Sequence, residues 1–174
     1  MSKIIIYIAP FVLGSISSFS LPPYNLIFLN FLTFPLLYLF FIKNYSSSKF
    51  LAFSIGWSFG FGYFIFSLHW IINSLSFDES YKNLMPLALI LIPLFLGIFY
   101  GICTLTYSYF NTRLNISSIL LFAITFSIIE FFRGVILGGF PWNLIAYSWT
   151  NYISFLQILS YVGIYSFNLL SITI

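Results

Sequence analysis

The sequence predicts an all-α fold, a polytopic integral membrane bundle of about six transmembrane helices. Hydrophobic residues make up 61% of the 174 residues and charged residues only 5%, whereas a soluble domain is roughly 45–50% apolar and about 25% charged. Apolar runs near the length of about 20 residues that crosses a hydrocarbon core recur along the whole chain. We therefore assign residues 1–174 to one membrane domain.

The spans are delimited by prolines, charges and polar clusters. Pro22 and Pro23 end the first run, because proline lacks a backbone donor and blocks helix continuation. A lysine- and serine-rich stretch at 43–49 ends the second, the loop around Lys82 follows the third, and a polar stretch at 111–115 follows the fourth. The predicted spans are Ile4–Phe19, Leu26–Ile42, Phe50–Ile72, Met85–Tyr107, Ile116–Leu137 and Tyr152–Ile174.

The first run has a second interpretation. Lys3 precedes it, and the small residues around Ser18 and Ser20 loosely match the cleavage site of a secretory signal peptide. A retained signal-anchor helix explains the same residues, and a chain with five further spans needs no cleaved signal to reach the membrane.

Orientation follows from the excess of Lys and Arg in cytoplasmic loops. With the N-terminus in the cytoplasm, the inner side carries four basic residues, namely Lys3, Lys43, Lys49 and Arg113. The outer side carries only Lys82, next to Asp78 and Glu79. This bias places the Pro22–Pro23 turn and the loop at 138–143 on the outer face.

Two glycine pairs predict close helix contacts. Gly56 and Gly60 in the third span, and Gly97 and Gly101 in the fourth, have the spacing of small residues that lets helix backbones approach each other. Glycine is common in membrane helices, so chance spacing is the alternative explanation.

Glu130 and Arg133 form the most informative pair, because an ionised pair at membrane depth is costly unless its partners satisfy each other. Three residues apart, they share a helix face. One interpretation is an ion pair that fixes helix register. The other is a functional site in which Arg133 contacts a lipid phosphate or a neighbouring domain, since the guanidinium donates bidentately.

The loop that follows, at 138–143, is the second candidate region. Phe140, Pro141 and Trp142 place an aromatic turn after two glycines. An interfacial position is ordinary for tryptophan, so the loop is either a simple membrane anchor or part of a lipid-binding site. His69 and Trp70 close the third span on the same side, as interfacial residues or as part of that site.

Several kinds of chemistry find no support in the sequence. The net charge of +3 is scattered, which argues against nucleic-acid binding. One cysteine and one histidine cannot build a Cys/His zinc cluster, and we expect no cofactor. Cys103 lies mid-span and is interpreted as core filling, since a thiol in hydrocarbon has little thiolate. The chain has no nucleophile-elbow motif for a serine triad.

Taken together, these residues resemble the N-terminal membrane domain of the apolipoprotein N-acyltransferases, bacterial inner-membrane enzymes. The resemblance covers nearly the whole chain, and the Gly139–Trp142 element is its most specific part. The matching features are Leu21–Pro23, Gly60–Phe64, His69–Ile71, Glu130–Gly134, Gly139–Asn143 and Gly163–Phe167.

The resemblance implies an activity for the family. A nitrilase-type domain takes an acyl chain from a phospholipid as a cysteine thioester and passes it to the N-terminal amine of a diacylglyceryl-cysteine on an apolipoprotein. Glutamate acts as general base and lysine stabilises the oxyanion. The implied partners are membrane phospholipid and an apolipoprotein substrate.

The catalytic glutamate, lysine and cysteine of the family belong to an outer domain that follows a seventh span. None of the three can be placed on a residue of this sequence. We therefore expect this polypeptide alone to be inactive, and a separately encoded catalytic domain to be a possible partner. The sequence leaves open two other classes: a small transporter or channel using Glu130 as a proton or cation site, and a purely structural membrane subunit.

Overall fold

The computed structural model describes residues 4–45, 48–77, 79–110, 114–136, 138 and 142–173. Within these ranges the chain is helical and contains no strand, which confirms the predicted all-α bundle. Two 3-10 helices, Glu79–Leu84 and Ile145–Trp149, lie between α-helices. The α-helices are α1 (Ile5–Ser18), α2 (Phe28–Asn44), α3 (Lys49–Ser67), α4 (Ile71–Leu75), α5 (Met85–Tyr107), α6 (Ile116–Ile136), α7 (Ile153–Leu156) and α8 (Leu159–Thr173).

Three helical stretches are long and apolar enough to cross a membrane by length and composition. They are α3, α5 together with the preceding 3-10 turn from Lys82, and α6. The apolar helices α1 and α2 have 14 and 17 residues. These two are shorter than the roughly 20 residues that span a bilayer at right angles.

The prediction of one continuous sixth span at 152–174 is wrong. The chain forms the four-residue α7, a turn, and then α8, which is itself interrupted at Gly163 with φ +76° and ψ +167°. Glycine adopts this left-handed, extended conformation without the steric cost that a side chain would impose. The regular helix resumes after Gly163 and carries Phe167 and Asn168 into the protein interior.

Helix α3 is the centre of the bundle and packs against α1 on one side and α5 on the other. A Cβ atom added at Gly56 would lie 2.2 Å from the Tyr100 carbonyl oxygen, and one added at Gly60 would lie 2.9 Å from the Cα of Gly97. These distances leave room for hydrogen only. The predicted close helix contact is thereby confirmed at Gly56 and Gly60 of α3, which pack against α5.

A cluster of aromatic rings fills the interior between α2, α3, α5 and α6. The rings pack mostly edge to face, the arrangement that aromatic quadrupoles favour. Phe126 of α6, for example, lies 5.8 Å from Phe34 and 5.2 Å from Tyr100 between ring centroids. Cys103 is fully buried in this cluster, as expected of a core-filling thiol.

Polar side chains define the helix ends near the loop at 43–49. The Ser48 hydroxyl accepts a hydrogen bond from the backbone N–H of Leu51 and caps the start of α3. The ammonium group of Lys49 donates to the carbonyl oxygen of Ser108 at 2.9 Å and lies 3.7 Å from the centre of the Tyr109 ring. This contact joins the beginning of α3 to the end of α5.

Candidate functional site

The Glu130 and Arg133 side chains lie together inside the bundle, as their spacing on α6 predicts. Both side chains are 0% exposed, and Arg133 Nη2 is 3.7 Å from Glu130 Oε1. A buried pair of opposite charges persists only where further hydrogen bonds compensate the loss of hydration. The surroundings of each group therefore decide what the pair can do.

Both carboxylate oxygens of Glu130 accept hydrogen bonds from other helices. The Tyr100 hydroxyl of α5 donates to Oε1 at 2.6 Å. The Asn168 side-chain amide of α8 donates to Oε2 at 2.5 Å. Neither Tyr100 nor Asn168 was singled out from the sequence, although each is a hydrogen-bonding residue within an apolar run. Glu130 of α6 is thus hydrogen-bonded to both α5 and α8.

Arg133 faces the segment that follows α6. Its Nη1 donates to the backbone carbonyl of Trp142 at 2.9 Å, and its guanidinium carbon lies 5.3 Å from the centre of the Phe64 ring. Among the described residues, its Nε and Nη2 have no hydrogen-bond partner, although Nη2 is the atom that faces Glu130 in the ion pair. Because the side chain is 0% exposed, the guanidinium is enclosed by protein.

We call residues 142–149 the return segment, because they lead the chain from the end of α6 back into the protein interior. Leu144, Ile145, Ala146 and Ser148 are buried, whereas Trp142 is 37% exposed. Asn143 adopts φ +56°, a left-handed conformation that asparagine tolerates better than most residues. The return segment thus combines a buried anchor with an accessible aromatic end.

Three helices hold the backbone of the return segment through polar side chains. The Tyr63 hydroxyl of α3 donates to the carbonyl of Asn143 at 3.0 Å. The Asn168 side-chain oxygen accepts from the backbone N–H of Ala146 at 2.9 Å. Together with the Arg133 bond to Trp142, these contacts satisfy backbone groups that would otherwise be costly to bury.

The structure brings Trp142 and Trp70 together. Their ring centroids are 5.0 Å apart with an interplanar angle of 45°, and Trp70 is 41% exposed. His69 is also exposed, and its Nδ1 lies 2.6 Å from the carbonyl oxygen of Phe66, so that geometry assigns the proton to Nδ1. The predicted site residues Phe140 and Pro141 lie outside the described residues.

A cleft of about 660 Å³ opens beside Trp70 and His69. We call it the aromatic cleft. It runs between the Pro22–Pro23 turn after α1 and the end of α3. Its lining residues are Ser18, Phe19, Pro22, Pro23, Tyr24, Phe66, Ser67, His69 and Trp70.

A metal site and a ligand cleft require different sets of side chains. In that part of the chain, no three His, Cys, Asp or Glu side chains are placed to hold a metal ion. The aromatic cleft offers apolar walls with a few polar atoms, the composition typical of sites for amphipathic ligands.

A family model for the N-terminal domain of apolipoprotein N-acyltransferase matches residues 13–174. The chain belongs to this family. The resemblance predicted from the sequence is thereby confirmed, and the helical bundle is that of an apolipoprotein N-acyltransferase N-terminal domain. The three apolar stretches and the family together make it a membrane protein.

Curated relatives agree with this assignment. The chain is 30% identical to an apolipoprotein N-acyltransferase of Brucella melitensis, over 95% of this chain and 32% of that protein. It is 36% identical to that of Rhizobium etli, over 77% of this chain and 26% of that protein. For the Rhodopseudomonas palustris protein the identity is 32%, over 92% and 31% respectively. The chain thus spans about a third of the length of these relatives.

Proposed function

We propose that this chain is the membrane domain of an apolipoprotein N-acyltransferase, a multi-pass protein of the bacterial inner membrane with its N-terminus in the cytoplasm. The observation that carries the proposal is the family match over residues 13–174. The orientation rests on the distribution of basic residues in the sequence.

The reaction proposed for the complete enzyme has two steps. A catalytic cysteine takes an acyl chain from a phospholipid as a thioester, which leaves a lysophospholipid. The free α-amine of an apolipoprotein's diacylglyceryl-cysteine then attacks the thioester, so that an amide forms and the thiol is regenerated. Cys103 is unsuited to this role, because it is fully buried in the aromatic core.

We accordingly propose that the 174-residue chain does not acylate by itself and requires a catalytic domain supplied by another polypeptide or by further sequence. The described part of the chain contributes the lipid-facing site. Phospholipid and apolipoprotein are then partners of the assembled enzyme.

Within this domain, we place the phospholipid at the aromatic cleft and the tryptophan pair. His69, Trp70 and Trp142 are exposed or partly exposed there, and tryptophan and tyrosine favour the headgroup level of a bilayer. We include Phe140 and Pro141, which precede Trp142 in the loop at 138–143, in the same proposed lipid site. The enclosed Arg133 fits an indirect role, in which its bond to the Trp142 carbonyl sets the position of that ring.

The interior geometry favours this role of the ion pair over a transport site. A proton or cation site on Glu130 needs an oxygen that is free to bind and release. Both of its oxygens accept short hydrogen bonds, and Arg133 neutralises its charge. These contacts support a fixed structural junction.

The test is reconstitution with a catalytic partner. The chain is co-expressed with the remaining part of the Brucella melitensis relative in cells depleted of their own enzyme, and N-acylation is followed by mass spectrometry of a lipoprotein's N-terminal peptide. We expect acylation only when both parts are present.

Variants then test the lipid site. Trp142→Ala combined with Arg133→Ala should lower the acylation rate by about tenfold or more, the scale of losing a well-placed aromatic contact. Phe50→Ala is the matched control, because Phe50 is a 73% exposed aromatic at the opposite end of α3. Acylation by the chain alone would refute the proposed inactivity, and an unchanged rate in the double variant would refute the lipid site.

A further inference from the structure

The hydrogen bonds around Glu130, together with its ion pair with Arg133, close into a ring that contains the return segment. Starting from Glu130, the ring passes through the paired Arg133 to the carbonyl of Trp142. It continues along the backbone to the N–H of Ala146 and returns through Asn168 to Glu130. Two backbone positions four residues apart are thus tied to one carboxylate.

Asn168 is the link with the strictest chemical requirement. Its Nδ2 donates to Glu130 Oε2 while its Oδ1 accepts from Ala146 N. A carboxamide donates and accepts at once with these two atoms in its ordinary uncharged state. An ionised aspartate of the same shape keeps the acceptor, loses the donor, and sets a second carboxylate against Glu130.

The backbone conformation of α8 determines where the Asn168 side chain lies. The left-handed conformation of Gly163 interrupts the helix five residues earlier and lets the following turn approach α6. The Tyr165 side chain of that turn contacts α6, because a Cβ atom at Gly134 would lie 2.2 Å from the Tyr165 hydroxyl oxygen. Asn168 itself is 0% exposed.

We propose that Asn168 is a positioning residue that locks the return segment to the Glu130–Arg133 pair and thereby fixes the Trp142 ring against Trp70. Its importance for acylation rests on the proposed function. Its structural role does not rest on the proposed function, because all contacts of the ring lie within this chain.

The experiment exchanges the amide and the carboxylate. Asn168→Asp destabilises the ring, because two ionised carboxylates repel each other and a proton bound between them is taken up at a free-energy cost at neutral pH. In the double variant Asn168→Asp with Glu130→Gln, the new amide at 130 can donate to the new carboxylate at 168, which still accepts from Ala146 N. The net charge of the interior stays as in the wild type.

Hydrogen exchange of the purified chain in lipid nanodiscs, measured by mass spectrometry, gives the readout. We expect peptides covering 142–149 to exchange about tenfold faster in Asn168→Asp, the scale set by leaving buried polar groups unpaired. The double variant should recover most of that protection. Peptides from α3 and α5 report whether each variant remains folded.

Asn30→Asp is the matched control, because Asn30 is a buried asparagine of α2 whose side-chain oxygen accepts from Ser17. It should leave exchange in 142–149 unchanged. Wild-type exchange in Asn168→Asp, or a double variant no better protected than the single one, overturns the inference. If Asn168→Asp unfolds throughout, recovery of folding by the double variant supports the inference and continued unfolding overturns it.

The acylation assay separates this inference from the proposed function. If the reassembled wild-type system does not acylate, the proposed function fails while the exchange data still decide the role of Asn168. If it does acylate, Asn168→Asp should lower the rate and the double variant should restore it. If neither variant changes the acylation rate, Asn168 does not position the lipid site.

Discussion

Replacing Gly56 by alanine tests the close packing of α3 and α5. The added Cβ atom would lie 2.2 Å from the backbone carbonyl oxygen of Tyr100 and equally close to the Thr104 hydroxyl. Ordinary van der Waals contact begins near 3.4 Å, so the helices must separate locally by roughly 1 Å. A backbone carbonyl cannot rotate away as a side chain can.

The magnitude is the balance of two effects. Overpacking of this kind costs about 1–3 kcal/mol, while alanine gains roughly 0.5–1 kcal/mol over glycine in a helix. We expect a net loss of about 1–2 kcal/mol for Gly56→Ala. Gly97→Ala should cost less than Gly56→Ala, because its Cβ atom would lie 3.1 Å from the nearest backbone atoms and needs a shift of only a few tenths of an ångström.

The assay is reversible unfolding of the purified chain in mixed micelles, in which SDS is titrated and helix content is followed by circular dichroism. The two variants make the same chemical change and differ in how closely the added Cβ atom approaches its neighbours. If Gly56→Ala is as stable as the wild type, or Gly97→Ala is the more damaging variant, the reasoning from close approach is wrong.

Three further predictions use the same unfolding assay. Glu130→Gln should lower the free energy of unfolding by about 3–5 kcal/mol, because it leaves Arg133 buried without a counter-charge. Glu130→Gln combined with Arg133→Gln should lower it less. Equal losses in the two variants would count against the pairing. Tyr100→Phe should cost about 1–3 kcal/mol, since it removes the hydrogen bond to Glu130 Oε1; a neutral result would show that the bond adds no stability. Thr104→Val should destabilise by about 1 kcal/mol because its hydroxyl donates to a carbonyl of α3 at 2.7 Å, and it should exceed the loss in the control Thr106→Val.

Much of the helical framework could be predicted from the sequence, because hydrocarbon length and helix-breaking residues act locally. The predicted fourth span, Met85–Tyr107, coincides with α5, and the fifth differs from α6 by one residue. The break in the last span was missed. Gly163 looks like one more small residue in an apolar run, and the apolar pattern does not indicate its left-handed conformation.

The sequence likewise indicated some residues of the candidate site and not others. Glu130 and Arg133 stand out because charge is rare in this sequence and costly in lipid. Tyr100 and Asn168 could not be assigned to them, since hydrogen bonds across 30 and 38 residues depend on which helices become neighbours. The contact between Trp70 and Trp142 was equally beyond local reasoning, although both were predicted to face the same side.

The hydrogen bond from Lys49 to Ser108 joins α3 and α5 at one end of the helix pair. One end is closed by the ammonium group and the Tyr109 ring, and the middle is pinned by glycine contacts. Separation of α3 from α5 is therefore opposed both at the Lys49 end and at the glycine contacts in the middle of the two helices.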